Sequence, residues 1–265
     1  MMKYAYIGTQ CVPYLDLGPE NGSGLPLLFL HGWGVSPWVY SGMLDILARD
    51  MRVVAPFMPV LTWNRATTPF KSHRDWADLV ASFCAQIGID KAHVAGQSTG
   101  GGIAACLASR HPDLAMTLTL IDPSGGPGKH VRNVPLAALG FALLLLDLRF
   151  VTTQAQLAAS FLTNLALSHV HLVLAARIPL MEDLTAEFES LDRPTQLLWG
   201  TLDVLFSPAT AQNLRRLISG SELHLVRFGP HQWELSRPQL AADLILAFIR
   251  KTPSHSPAKV EDGFV

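Results

Sequence analysis

Gly96-Gln97-Ser98-Thr99-Gly100 places one serine between glycines two positions before and two positions after it. That spacing suits a serine nucleophile on a sharp turn, where strand and helix backbones approach so closely that side chains at the glycine positions would clash. Composition alone produces a G-x-S-x-G pattern in roughly one chain in ten of this size, so the flanking residues decide its weight. "AHVA" before it reads as a strand and "GGIAACLASRH" after it as a helix. In such a strand-turn-helix setting the Ser98 hydroxyl projects at the top of a sheet, and the Thr99 amide at the helix start faces charge developing on a substrate oxygen. The plain alternative is a glycine-rich turn with no chemistry.

A serine hydroxyl becomes a useful nucleophile only beside a base, which is itself oriented by an acid. The chain has ten histidines, most of them with ordinary readings: His73 begins a helix, His93 lies in a strand, and His111 precedes Pro112 at a helix end. His231, in "FGPHQWELSRP", follows the last strand and precedes the last helix, where a side chain can reach Ser98. Asp203, in "LLWGTLDVLFSP", stands in the same way after the preceding strand. Taken singly, Asp203 reads as a turn residue and His231 as a surface histidine. The order Ser98, Asp203, His231 at three strand ends makes a nucleophile, acid and base reading coherent. A second amide donor to the oxyanion is expected from His31-Gly32-Trp33-Gly34 after the strand "LPLLFL", where glycines let the Trp33 amide turn inward beside that of Thr99.

The elements that must hold these residues alternate regularly. Short apolar runs at 25–30, 51–56, 91–96, 116–122, 195–200 and 222–228 read as buried parallel strands. Helical patterns fall at about 37–49, 73–87, 99–110, 208–218 and 238–250, the last two opening on Pro208 and Pro238. The class is therefore α/β, a mostly parallel sheet flanked by helices on both faces. Between 125 and 190 the pattern is helical without a strand, interrupted at Pro135 and Pro179. This implies a core of 1–124 and 191–250, a helical cap insertion of 125–190 over the strand ends, and a disordered tail at 251–265.

Together "LFLHGWG", "RVVAPFMP", "VAGQSTGG", "LTLIDPSG", "LLWGTLDVLFSP" and "GPHQWELSRP" resemble the α/β-hydrolase superfamily, in its single-domain, cap-bearing esterase and lipase-like branch. The resemblance covers about residues 25 to 250 and implies Ser98 as nucleophile, His231 as general base and then acid, Asp203 as orienting acid, and Trp33 and Thr99 as oxyanion donors. Asp122 is the rival acid, because some relatives carry theirs after the strand that "MTLTLID" represents; the W-G-x-x-D surroundings of Asp203 favour it. Two departures stand out. Phe57-Met58-Pro59-Val60 replaces the usual Asp-Leu-Pro-Gly, and Gln97 stands before the nucleophile where histidine or tryptophan is common. Gln97 either shapes the pocket floor or fills space behind the turn.

Composition narrows the partners. With 265 residues, 49% hydrophobic, and 20 basic against 21 acidic side chains, the chain can bury a large core and has no charge excess for phosphate contacts, so no nucleic-acid partner is expected. Three cysteines without C-x-x-C spacing point to a reducing compartment, and "MMKYAYIGTQ" lacks the apolar region of a secretory signal. "VPLAALGFALLLL" falls short of the roughly 18 to 20 residues of a membrane span. A cytoplasmic protein without an integral span is expected. No cofactor or metal is expected either: Gly125 to His130 lacks the phosphate-loop spacing, and His169-Val170-His171 lacks the i, i+4 spacing of a helical metal pair.

The expected activity is hydrolysis of a carboxylic ester of a small, largely apolar substrate through an acyl-enzyme. Phe141, Leu143 to Leu146, Phe161 and Leu162 are candidates for an apolar pocket wall, although most of these side chains must also bury the insertion on the core. Carbon-carbon bond hydrolysis and cofactor-free haloperoxidase or perhydrolase chemistry need the same triad. A ligand receptor on the same fold is the non-enzymatic alternative.

Overall fold

The computed structural model describes residues 1–19, 24–61, 64, 66–67, 70–127 and 151–252. An eight-stranded sheet organises them. It comprises β1 (Met2–Ile7), β2 (Gln10–Leu17), β3 (Leu27–Leu30), β4 (Val53–Pro56), β5 (Ala92–Gln97), β6 (Ala115–Ile121), β7 (Thr195–Gly200) and β8 (Glu222–Val226). The spatial order is β1-β2-β4-β3-β5-β6-β7-β8. β1 pairs antiparallel with β2, and β2 antiparallel with β4. All remaining pairs are parallel.

The six parallel strands coincide with the six apolar runs. The N-terminal hairpin had no counterpart in the sequence reading: β1 is an edge strand with Tyr4 54% and Tyr6 64% exposed, and Pro13 sits inside β2. Edge position suits the exposed tyrosines of β1. Pro13 lies in an inner strand, just beyond the last β2–β4 register pair at Tyr14 and Pro56; its carbonyl accepts from the Phe57 amide at 2.8 Å, and the Asn64 side chain donates to the Phe57 carbonyl at 3.0 Å.

Helices α1 (Ser41–Leu47), α2 (His73–Gln86), α3 (Thr99–Arg110), α4 (Val151–Ala175), α5 (Arg177–Met181), α6 (Thr185–Glu189), α7 (Pro208–Leu217), α8 (Trp233–Ser236) and α9 (Pro238–Lys251) complete the described elements, with a 3-10 turn at Pro37–Tyr40 before α1. Local chemistry sets several boundaries. Ser72 accepts from the Asp75 amide while the Asp75 carboxylate accepts from the Ser72 amide, a reciprocal box that starts α2. Pro208 and Pro238 open α7 and α9 as expected.

The sheet is covered on both faces. Along β3, Leu28 and Leu30 enter one core with Trp76, Phe83, Ile103 and Leu107, while Leu27 and Phe29 enter the other with Met43, Leu44, Trp233 and Ile245. Each such side chain contributes about 1.5–3 kcal/mol by burial, which is why a strand of only four residues is held so firmly.

The chain runs from β3 outward to β4 and then returns to β5 on the other side of β3, so the loops leaving β3 and β5 diverge at the centre of the sheet. Open α/β sheets place ligands at this point. Every non-glycine residue with positive φ among the described residues follows the carboxyl end of a parallel strand: Val60 at 69°, Ser98 at 53°, Asp122 at 42° and Phe228 at 56°. Backbone strain is concentrated on the rim where a site is built.

The described part of the interval between β6 and β7 is helical, as expected, and Pro179 falls in the first turn of α5, where its missing amide breaks no helical bond. Phe141 and Leu143 to Leu146 lie outside the described residues, as do the apolar stretch 134–146, residues 128–130 of the excluded phosphate loop, and 253–265 of the tail. Lys251, the first residue assigned to the tail, closes α9 instead. Among the described residues no helix is long and apolar enough to cross a membrane.

Candidate functional site

Ser98 caps α3 with φ 53° and ψ −118°, a conformation that bends the chain sharply from β5 into the helix. Its neighbours leave no alternative to glycine: a Cβ on Gly96 would lie 2.2 Å from the Gly100 carbonyl oxygen, and one on Gly100 would lie 2.0 Å from that of Leu30. The Ser98 amide donates to the Ile121 carbonyl at 2.9 Å, and its own carbonyl accepts from the Ser124 amide at 2.9 Å, so the turn is stitched to the end of β6. Thr99 begins α3, where the first amides have no intrahelical acceptor.

The loops after β7 and β8 bring the other two residues in. Leu202 donates its amide to the Gly229 carbonyl at 2.8 Å, and a Cβ on Gly200 would lie 2.3 Å from that same oxygen, so the two loop backbones touch. Asp203 is 3% exposed. Its Oδ1 accepts from the amides of Leu205 at 2.8 Å and Phe206 at 2.9 Å, and its Oδ2 lies 2.8 Å from His231 Nδ1. An ionised carboxylate only accepts, so Nδ1 carries the proton and Nε2 presents its lone pair to Ser98 Oγ, 3.0 Å away. The Phe206 ring meets the imidazole edge-on, with centroids 5.2 Å apart.

Burial works against the charged form of His231, but the Asp203 carboxylate and its hydrogen bond, with Glu234 behind them, outweigh it and hold the pKa above 6.5. Glu234 is 1% exposed, and burial pushes its pKa up to about 8.

The two candidate acids are therefore distinguished by position. Asp203 is hydrogen-bonded to His231, whereas Asp122 accepts from the Gly200 amide at 2.9 Å through Oδ1 and stands beside Asp203. One donor atom each of Asp122, Asp203 and His231 lie within 4.8 Å of one another, the arrangement among the described residues that comes nearest to a metal-ligand set. Two of the three are already bonded to each other.

Gln97 turns out to be a bridge. Tyr40 donates its hydroxyl proton to Gln97 Oε1 at 2.9 Å and accepts from the Gly32 amide at 3.2 Å, while Gln97 Nε2 donates to the His231 carbonyl at 3.1 Å. One buried amide thus ties the 31–34 loop to the loop that carries His231. His31 fixes the same loop from the other side: Nε2 accepts from the Met58 amide at 3.0 Å, so Nδ1 donates to the Gly32 carbonyl at 2.8 Å. Burial drops its pKa to about 4, leaving it neutral. A Cβ on Gly32 would lie 3.5 Å from Ser98 Cβ, which places the loop bearing Trp33 directly against the serine.

α4 packs over this loop. Asn164 donates to the Gly34 carbonyl at 2.9 Å, Ser160 accepts from the Ser36 amide at 3.0 Å, and the Phe161 ring lies 6.0 Å from that of Trp33. Leu162 is 62% exposed among the described residues. The atypical Phe57-Met58-Pro59-Val60 segment supplies the Met58 amide to His31 and the Pro59 carbonyl to Trp76 Nε1 at 2.9 Å. Val60 adopts φ 69°, so the turn keeps a glycine-type conformation without the glycine.

A second serine, histidine and carboxylate stand in line elsewhere. His73 Nε2 lies 2.8 Å from Ser124 Oγ, and Nδ1 lies 2.7 Å from Glu182 Oε2. Arg74 donates to Glu182 and Glu187, both at 2.6 Å. Sequence spacing carried no signal for this group, since His73 and Glu182 are 109 residues apart.

Comparison with known proteins bears on the fold and the family. The family described as alpha/beta hydrolase fold matches residues 26–177. Monoacylglycerol lipase abhd6-B of Xenopus laevis is 23% identical over 289 residues, covering 98% of this chain and 86% of the relative. Pimeloyl-[acyl-carrier protein] methyl ester esterase of Aromatoleum aromaticum is 29% identical over 250 residues, covering 84% of this chain and 98% of the relative. The enol-lactonase of Burkholderia xenovorans LB400 shares the fold at a TM-score of 0.83 and 18% identity, over 94% of this chain and 100% of that one.

Proposed function

Because this chain belongs to the alpha/beta hydrolase fold family and is a hydrolase, we propose that it cleaves a carboxylic ester of a small, largely apolar substrate through an acyl-enzyme on Ser98. The observation that carries this reading is the chain Asp203 Oδ2 to His231 Nδ1 at 2.8 Å and His231 Nε2 to Ser98 Oγ at 3.0 Å, ending on a serine with φ 53°.

His231 Nε2 takes the Ser98 proton as Oγ attacks the ester carbonyl. The oxyanion is assigned to the amides of Trp33 and Thr99, backbone donors that need little reorganisation during the reaction. The imidazolium, stabilised by Asp203, passes its proton to the departing alcohol. Water then gives its proton to His231 as it attacks the acyl carbonyl, and Ser98 Oγ leaves with that proton. The described helices α4 to α6 serve as the cap, with α4 laid on the Trp33 loop and the Trp33 and Phe161 rings forming apolar wall.

An ester is favoured as the substrate by the methyl ester esterase relative, whose own length is 98% covered. Ser98→Ala is expected to abolish hydrolysis of short p-nitrophenyl esters without loss of Tm, and an organophosphonate should label Ser98 in the folded wild-type protein. Undiminished turnover in the variant would overturn the proposal, and a panel of diketones and of acids with peroxide separates ester hydrolysis from the other bonds this triad can break.

A further inference from the structure

Asp122 is fully buried, with φ 42°, and its backbone is held by donation of its amide to the Leu198 carbonyl at 3.0 Å. Its two carboxyl oxygens are not equivalent. Oδ1 accepts from the Gly200 amide, whereas Oδ2 is buried without a hydrogen-bond donor among the described residues. Asp203, beside it, accepts from three donors: His231 Nδ1 and the amides of Leu205 and Phe206. Two carboxyl groups in contact away from water do not both ionise. The charge rests on the one with more donors, and a buried oxygen with none is satisfied by carrying a proton.

We propose that Asp122 is a positioning residue of the reaction: it stands as the neutral acid and donates from Oδ2 to the Asp203 carboxylate, extending the relay to Asp122, Asp203, His231 and Ser98. This rests on the triad reading above and adds a member to it. The groups facing Asp122 are Asp203 and His231 from the loops after β7 and β8, and Glu234 from α8. Burial above all, then the charges of Asp203 and Glu234, hold the Asp122 carboxyl well above the usual carboxylate range. With His231, Leu205 and Phe206 on the other lone pairs, this fourth bond leaves Asp203 one orientation, and it draws charge from Asp203 so that His231 releases its proton more readily.

Asp122→Ala is expected to lower kcat on the order of tenfold with KM unchanged, the effect of one lost charge-assisted hydrogen bond, and to move the acid limb of the pH profile upward. Asp122→Asn, neutral and still a donor, should rescue most of kcat and return the limb to its wild-type position. The wild-type infrared spectrum should contain the carbonyl stretch of a protonated carboxyl group that Asp122→Asn removes, a readout independent of turnover. If that band is missing, if Asp122→Asn shifts the limb to lower pH as loss of an ionised carboxylate would, or if Asp122→Ala leaves kcat unchanged, the proposal fails. None of these results bears on Ser98 as the nucleophile, which Ser98→Ala tests alone.

Discussion

Among the described residues, two groups of serine, histidine and carboxylate stand in line with nearly the same distances. In one, His231 joins Ser98 at 3.0 Å and Asp203 at 2.8 Å; in the other, His73 joins Ser124 at 2.8 Å and Glu182 at 2.7 Å. What separates them is their setting. Ser98 is 8% exposed on a strained turn at the start of a twelve-residue helix, and the side chain of His231 is 18% exposed. Ser124 and His73 are both 0% exposed, so no substrate carbonyl can approach, and Glu182 is neutralised further by Arg74. A hydrogen-bonded serine, histidine and carboxylate are thus not by themselves a catalyst; the proposed chemistry also needs access for a substrate and donors to its oxyanion. The buried group serves as a latch, pinning the junction between α5 and α6 to α2 and to the loop whose Ser124 amide holds the Ser98 carbonyl.

Exchanging the serines should break the comparison most sharply. Ser98→Ala is expected to lower kcat by at least about 10⁴-fold, as in other serine hydrolases. Ser124→Ala should leave ester turnover within a few-fold while lowering stability by about 1–3 kcal/mol, since His73 loses a buried partner; thermal denaturation beside an ester assay reads both. A collapse of activity in Ser124→Ala with an intact fold would give the buried triad a role in the chemistry.

The carboxylates come next. Asp203→Asn is expected to lower kcat by about 10⁴-fold by the same analogy, while Glu182→Gln should act on stability alone. Burial raises the Glu182 pKa, but the bonds from His73 and the charge of Arg74 outweigh it, leaving the folded-state value below 4.5. Its contribution is therefore present above 4.5 and lost as pH falls through the depressed value, so wild type and Glu182→Gln should converge in stability in acid.

A pH profile sharpens the contrast further. His231 must be neutral to accept the Ser98 proton, and its pKa lies above 6.5, so kcat/KM should rise with pH through an acid limb above that value. With its own pKa pushed up to about 8, Glu234 is largely protonated across the lower part of that limb, so Glu234→Gln should move the limb only slightly.

The smallest effect is expected at Gln97. Gln97→Leu removes the bonds to Tyr40 and to the His231 carbonyl and should cost about tenfold in kcat/KM. Gln97→Glu keeps the acceptor for Tyr40 but sets an oxygen against the His231 carbonyl, and should recover little of that loss.

Ser98, Asp203 and His231 were legible because each follows an apolar run that had to be a strand, and parallel strands deliver their carboxyl ends to one rim. The glycines around Ser98 were legible for a steric reason, and the close approaches at Gly96 and Gly100 are that reason in atomic form. Gln97 was legible only as an oddity, since its partners Tyr40 and His231 lie 57 and 134 residues away. Of the hairpin of β1 and β2, the edge strand β1 carried little signal because an edge strand does not need continuous apolarity, and Pro13 within β2 masked the inner strand. Val60 shows the converse: the usual glycine is missing, yet the turn persists because Trp76 bonds the Pro59 carbonyl and the Val60 amide donates to the Asn64 carbonyl at 2.8 Å.

The sequence by itself determined the alternation of strand and helix, the strained serine turn and the placing of Ser98, Asp203 and His231 after three strand ends, since periodicity, glycine and proline act over a few residues. Only the tertiary structure decided which carboxylate meets which histidine: Ser98 and His231 are 133 residues apart, His73 and Glu182 are 109 apart, and the sheet's topology alone sets those distances. It also decided which of the two hydrogen-bonded groups reaches solvent, because exposure depends on everything packed around a side chain.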